Sequence, residues 1–303
     1  MRFQSAALAL RCLTAWLTAW LTALLTALMS APAPAQLAAG EDAWKMLQFD
    51  GYQIAYQCRG QSHRGDPVVV LTPSGAHPSQ EIYKKILPQL ARSYKTCFYD
   101  RPGFGNSGAP PAGKALTLQD FDHQLHALVQ AEAANDRIVL VSFSLGTQSV
   151  RHYAAAHPRE VAGLLLIDPI HEDWLAQLKN RMSAADWGRM ESILDWFLQR
   201  FGHDYRDSQT GVKAAALPAG LPVRIISRGL PFYRIGLTGV SEEGVKIFND
   251  AHDALQPELL KLTAKTARVV AARSEHMIAD SEPELVLTEL ARLMADAQTI
   301  KTP

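Results

Sequence analysis

Arg137-Ile-Val-Leu-Val-Ser-Phe-Ser-Leu-Gly-Thr-Gln-Ser-Val150 joins a short apolar run to a helical pattern through a turn of small residues. The run Arg137–Val141 is continuously apolar after its first residue, as expected of a strand buried on both faces. Leu145 to His157 reads as a helix that stops at Pro158, because the residue before a proline disfavours helical backbone. Between them, Ser142-Phe-Ser-Leu-Gly146 sets a small residue two positions to either side of Ser144. A sharp strand-to-helix elbow needs that spacing, since the turn forces those two positions together. The pentapeptide alone is a weak signal, and its first position is Ser142 where glycine is usual. Its place between an apolar strand and a helix gives it weight over a plain helix-capping serine.

Outward from this turn the chain alternates. Phe49–Gln57 carries a glycine-centred turn and a half-buried strand pattern. Apolar runs at Pro67–Leu71, Thr96–Tyr99, Leu164–Ile167, Leu221–Ser227 and Ala267–Ala271 read as further strands. Helical patterns cover Ile82–Ser93, Leu118–Ala134 (with Thr117 as N-cap) and Glu284–Ala297. Strand and helix in alternation predict a mainly parallel sheet with helices on both faces, an α/β fold. One interval departs from this: residues 171–217 show helical pattern only, with Trp174, Trp187 and Trp196. Lying between two core strands, it reads as a helical lid inserted over a pocket.

A serine hydroxyl is inert at neutral pH unless a base takes its proton. Of the ten histidines, His276 follows the last core strand, where a base belongs in the chain order Ser, Asp, His. His77 lies near the same edge but out of that order. His123, His126, His152 and His157 fall on helices and read as solvated or backbone-satisfied. Asp168 ends a core strand and is the expected orienting acid, with Asp173 or Glu172 behind it. The next strand end, Ser227–Tyr233, offers no carboxylate, and Glu242, Glu243, Asp250 and Asp253 come later in the chain. Donors for a developing oxyanion are expected from the N–H of Leu145 and from Thr72-Pro-Ser-Gly-Ala76. Within that loop Pro73 has no N–H; Gly75 is favoured, with Ser74 and Ala76 as alternatives.

Gly103-Phe-Gly-Asn-Ser-Gly108 matches a dinucleotide fingerprint in letters only. That motif must open a helix directly, and here Ala-Pro-Pro-Ala-Gly follows. No cofactor and no metal is called for. Residues 1–35 hold Arg2 and Arg11, no acid, and an apolar stretch Leu13–Met29 before Ala31-Pro-Ala-Pro-Ala35. They read as an export signal cleaved near Ala35; seventeen residues with four threonines are short for a retained anchor. The mature chain, residues 36–303, then has 28 basic and 30 acidic side chains from the 30 and 30 of the whole. A net charge of −2, with no basic stripe, excludes nucleic acid as the expected partner. Cys12 leaves with the signal, and Cys58 and Cys97 remain as an even pair in a compartment where disulfides persist.

Val68-Val-Val-Leu-Thr-Pro-Ser-Gly75, Tyr99-Asp-Arg-Pro-Gly-Phe-Gly-Asn-Ser107, the Ser144 elbow, Leu166-Ile-Asp-Pro169 and Ser274-Glu-His276 resemble, in this order, the motifs of the α/β-hydrolase superfamily. The resemblance spans residues 45–297. It implies an eight-stranded, mostly parallel sheet with a helical lid, and a serine hydrolase that passes an acyl group through Ser144, His276 and Asp168. Two departures stand out: Ser142 for the usual glycine, and no His-Gly in the oxyanion loop. The resemblance makes the strands carrying Cys58 and Cys97 neighbours, so it also implies a Cys58–Cys97 disulfide. It leaves the substrate open: a small-molecule carboxylic ester is expected, an amide or peptide is the alternative, and a non-catalytic binding protein on the same scaffold is the third reading.

Overall fold

The computed structural model describes residues 43–299 apart from 64, 76, 214 and 233–238. The export signal read over residues 1–35 lies outside the described residues. Eight strands form one sheet: β1 (Lys45–Phe49), β2 (Tyr52–Arg59), β3 (Val68–Leu71), β4 (Thr96–Tyr99), β5 (Ile138–Phe143), β6 (Val161–Ile167), β7 (Val223–Arg228) and β8 (Thr266–Ala271). Their spatial order is β1-β2-β4-β3-β5-β6-β7-β8. β2 runs antiparallel to β1 and β4, and every other neighbouring pair is parallel. The sequence pattern around Phe49–Gln57 thus resolves into a hairpin, turning at Gly51 with φ +79°.

The helices are α1 (Ser79–Tyr83), α2 (Leu87–Ser93), α3 (Leu118–Glu132), α4 (Gly146–Ala156), α5 (Trp174–Arg181), α6 (Ala184–Phe201), α7 (Tyr205–Lys213), α8 (Glu242–Leu255), α9 (Ile278–Ser281) and α10 (Pro283–Gln298). The single helix expected over 82–93 is two. Pro88 sits in the first turn of α2; inside a continuous helix its ring would clash with the preceding turn and remove a hydrogen bond. Thr117 does cap α3: its hydroxyl accepts from the Asp120 N–H, and Asp120 bonds back to the Thr117 N–H at 2.9 Å. α8 was not expected at all.

Period-two alternation sends successive residues of the central strands to opposite faces. Val69, Leu71, Val139, Val141, Leu165 and Ile167 pack on one side with Ile82, Leu290 and Leu293. Val68, Val70, Leu140, Leu164 and Leu166 pack on the other with Leu125, Leu128 and Val150. Both faces are therefore covered, which is why strands β3 to β6 carry no alternation in sequence. Cys58 and Cys97 are directly opposite in the β2–β4 ladder and are joined by a disulfide. Among the described residues, no helix is long and apolar enough to cross a membrane.

Three helices, α5 to α7, fill the interval between β6 and β7. With α8 they form an apolar cluster of their own, including Trp174, Leu178, Met190, Leu194, Phe248 and Leu255. Trp174 meets Phe248 edge-on at 4.8 Å. Trp187 is half-buried against this cluster, whereas Trp196 is 53% exposed and leans on Phe197 and Phe201. One of the three tryptophans is thus a buried anchor of the cluster.

Candidate active site

Parallel strands present their carboxyl ends along one edge of the sheet, and that edge is where loops from separate strands can meet. β5 ends at Phe143, and Ser144 follows with φ +57°. A left-handed backbone at a residue other than glycine is sparsely populated and held by its surroundings. Here the Ser144 N–H donates to the Ile167 carbonyl at 2.9 Å, and Thr147 donates from both its N–H and its hydroxyl to the Ser144 carbonyl. Glycine at 146 is obligatory, since a Cβ there would stand 2.3 Å from the Pro73 carbonyl oxygen and 2.9 Å from Ser142 Oγ. The same contact accounts for Ser142: that hydroxyl fits only because position 146 carries no side chain.

Asp168 follows β6 with φ +41° and is fully buried. His276, in the loop after β8, brings its Nδ1 to 2.6 Å from Asp168 Oδ2. The imidazole rests on Phe143, the residue before Ser144, at 4.4 Å between centroids, and on Phe232 at 5.2 Å. With the Nδ1 proton given to the carboxylate, His276 keeps its Nε2 lone pair for another partner. Residues separated by more than a hundred positions in the chain are thus joined beside the elbow.

Two further cations bear on Asp168 that sequence reasoning missed. Arg228, at the end of β7, donates its N–H to Oδ1 and its Nη1 to Oδ2, each at 3.2 Å. His252, on α8, places Nε2 3.1 Å from Oδ1 while its Nδ1 lies 3.0 Å from Asp253 Oδ1. Burial alone would raise the Asp168 pKa; the charge and hydrogen bond of His252, then those of His276, outweigh it and hold the carboxyl well below its usual range. In the same way burial lowers the His252 pKa, but Asp168 outweighs burial and raises it above the ordinary imidazole value. The sequence did hold a signal for α8. Ser241 caps it through the Gly244 N–H, two glutamates open it, and Phe248, His252 and Leu255 fall on one buried face.

His252→Gln gives a direct check. A raised folded pKa contributes stability that is present below the unfolded value near 6.5 and is lost as pH rises through the folded value. The wild type should exceed the variant by about 2 kcal/mol at pH 6 in urea unfolding, and the gap should narrow toward pH 9. A gap that stays constant or widens would contradict a protonated His252.

The alternative acids are engaged elsewhere. Glu172 forms a two-pronged pair with Arg151 at 2.7 and 3.0 Å; burial opposes its ionisation, but Arg151 prevails and brings the pKa down to about 2. Asp173 faces Lys213, and Asp250 faces Lys246. Of the four histidines read as helical, His123 is exposed as expected, but the other three differ: His152 and His157 meet Asp122, and His126 meets Tyr153 and Glu160. They pair with side chains, because α3 and α4 pack side by side and bring their polar edges together.

Gly75, after β3, adjoins the elbow: a Cβ on it would lie 3.0 Å from Leu145 Cδ1 and 2.7 Å from the Tyr205 hydroxyl. That hydroxyl donates to the Gly75 carbonyl and so ties α7 to the loop. Leu145 immediately precedes α4, where backbone N–H groups lack intrahelical partners. Ser74 accepts the His77 N–H on its hydroxyl, and Ala76 lies outside the described residues. The two expected donors therefore belong to adjoining loops, with the Leu145 side chain turned toward the α5–α8 cluster.

The chain belongs to the α/β-hydrolase fold family, whose model matches residues 67–224. An uncharacterized protein of Schizosaccharomyces pombe is 22% identical over 306 residues, covering 80% of this chain and 54% of that protein. The chain thus spans about half the length of that curated relative. A loop variant of the haloalkane dehalogenase DbeA from Bradyrhizobium elkanii has a similar structure, with TM-score 0.59 and 17% identity over 84% of this chain and 97% of that one. An alpha/beta hydrolase fold protein from Burkholderia ambifaria gives TM-score 0.55 and 17% identity over 82% and 97%. At such identity these likenesses speak to the fold alone.

Proposed function

We propose that this protein is a serine hydrolase acting on a small carboxylic ester, with Ser144 as nucleophile, His276 as general base and acid, and Asp168 as the group that orients His276. The observation carrying this reading is the 2.6 Å Asp168–His276 contact beside a left-handed Ser144. Ser144 Oγ attacks the acyl carbon as His276 Nε2 takes its proton; the leaving alkoxide receives that proton, and water hydrolyses the acyl-enzyme by the same route. The N–H groups of Leu145 and Gly75 stabilise the developing oxyanion. The α5–α7 helices act as a lid whose apolar underside receives the acyl portion. Displacement of a halide is a poorer fit, because the elbow carries a neutral hydroxyl in place of a carboxylate nucleophile.

Export is part of the proposal. The Arg2–Ala35 segment has the composition of a cleaved signal, and the Cys58–Cys97 disulfide suits a chain that matures in an oxidising compartment.

A fluorophosphonate probe tests the central claim. One adduct should form on the folded wild type and map by peptide mass to Ser144. Absence of labelling, or an adduct on another serine, would overturn the assignment.

A further inference from the structure

α4 begins at the elbow and ends at a second cluster of titratable side chains, a helix length from Ser144. His157, just past the last turn of α4, stacks on His126 of α3 with centroids 4.6 Å apart and planes inclined by 16°. Glu160, in the turn leading to β6, has Oε2 3.5 Å from His126 Nδ1 and Oε1 3.9 Å from His157 Nδ1. One ligating atom from each of the three lies within 4.8 Å of the others. All three side chains are half-buried, so an ion from solvent can reach them.

The surroundings orient these groups. Asp122 places Oδ2 2.9 Å from His157 Nε2 and faces His152 Nδ1 across 3.5 Å with its other oxygen. His157 thus presents Nε2 to the Asp122 carboxylate and Nδ1 to the Glu160 side. That arrangement, an imidazole with one nitrogen given to a carboxylate and the other free to coordinate, is the usual support of a histidine metal ligand. Tyr153 completes the cluster: its hydroxyl donates to Glu160 and lies 3.2 Å from His126 Nδ1.

We propose that His126, His157 and Glu160 form a binding site for a divalent cation of zinc type, with Asp122 orienting His157 and solvent completing the coordination. Two imidazoles and one carboxylate suit zinc better than magnesium or calcium, which favour oxygen ligands. Metal–ligand bonds of about 2.0–2.2 Å at tetrahedral angles place ligand atoms about 3.3–3.5 Å apart, so ligand atoms that now lie within 4.8 Å of one another must draw in by up to about 1.5 Å. Coordination at His126 Nδ1 moves its proton to Nε2, with no net proton change. The ion clamps the end of α4, the middle of α3 and the start of β6 together. It acts on stability and stands apart from the Ser144 chemistry.

The test uses the untagged mature protein, stripped with chelator and titrated with zinc chloride alone. Calorimetry should count one ion, and zinc at about one hundred times its Kd should raise Tm by about 5 °C. Cobalt(II) in its place should give the visible bands of a tetrahedral ion. His126→Gln and His157→Gln should each abolish both signals, while His123→Gln, an exposed change on the same helix, should keep them. No zinc-dependent shift in the wild type overturns the proposal, as does a shift that survives in the His126→Gln, His157→Gln double variant. Should that variant fail to fold, a wild-type cobalt spectrum of the hexa-aquo type is itself sufficient to overturn it.

Discussion

Ser144→Ala should lower kcat on a p-nitrophenyl ester by about 10⁴-fold or more, with an unchanged circular dichroism spectrum. The proposed acyl-enzyme needs an oxygen at this position, and alanine offers none. What would survive is catalysis by the oxyanion donors acting on bound water, which is why the expected residue of activity is small but above background. The substitution removes one heavy atom from a nearly buried site and leaves the elbow's backbone bonds to Ile167 and Thr147 in place. Loss of turnover can therefore be separated from loss of fold in the same sample. A variant that retains activity within tenfold of wild type would remove Ser144 from the mechanism.

The second large effect is expected at Asp168. Asp168→Asn should reduce kcat by about 10³- to 10⁴-fold, because an amide can present its NH₂ to His276 and favour the wrong tautomer. The damage should extend beyond catalysis. Arg228 and His252 also rest on this carboxylate, and leaving buried cations without their anion costs about 3–5 kcal/mol. The pH dependence has a definite sign. The folded-state pKa of Asp168 lies well below the unfolded value of about 3.9. Its contribution is therefore present above about pH 4 and is lost as pH falls through the folded value. The urea midpoints of wild type and variant should differ most near neutrality and converge in acid. Equal midpoints at pH 7 would show that the carboxylate does not hold these cations.

Much of this site is legible in local sequence, and what escapes is tertiary in origin. Ser144 could be found because an elbow constrains five consecutive residues and its two flanking elements. Asp168 could be found because it directly follows an apolar strand, and His276 because it lies in the loop after the last one. The cysteine pair needed strand adjacency, which the chain order of the motifs implied. Arg228 shows the limit. Read along the chain, Ser227-Arg-Gly registers only as a strand end without a carboxylate. In space its guanidinium is the partner of the carboxylate one strand away. His252 was hidden for a related reason: it lies on a helix whose amphipathic pattern is sound, but nothing local says that its buried face ends on Asp168. The hairpin supplied the last lesson: the Gly51 turn and the strand after it are legible, but the partner strand Lys45–Phe49 before the turn is not.

Ser144 and Asp168 share a feature with consequences for how this protein can change. Both hold left-handed backbone without being glycine, at φ +57° and +41°, at the ends of adjacent parallel strands. Each such position costs of the order of 1–3 kcal/mol, and glycine would relieve much of it. At Asp168 the loss of the carboxylate from Arg228 and His252 outweighs that relief, but at Ser144, the proposed nucleophile, glycine would strengthen the fold. Robustness and the proposed reactivity pull in opposite directions at Ser144, so selection for thermal stability alone would tend to drive this chain toward a well-folded and silent scaffold.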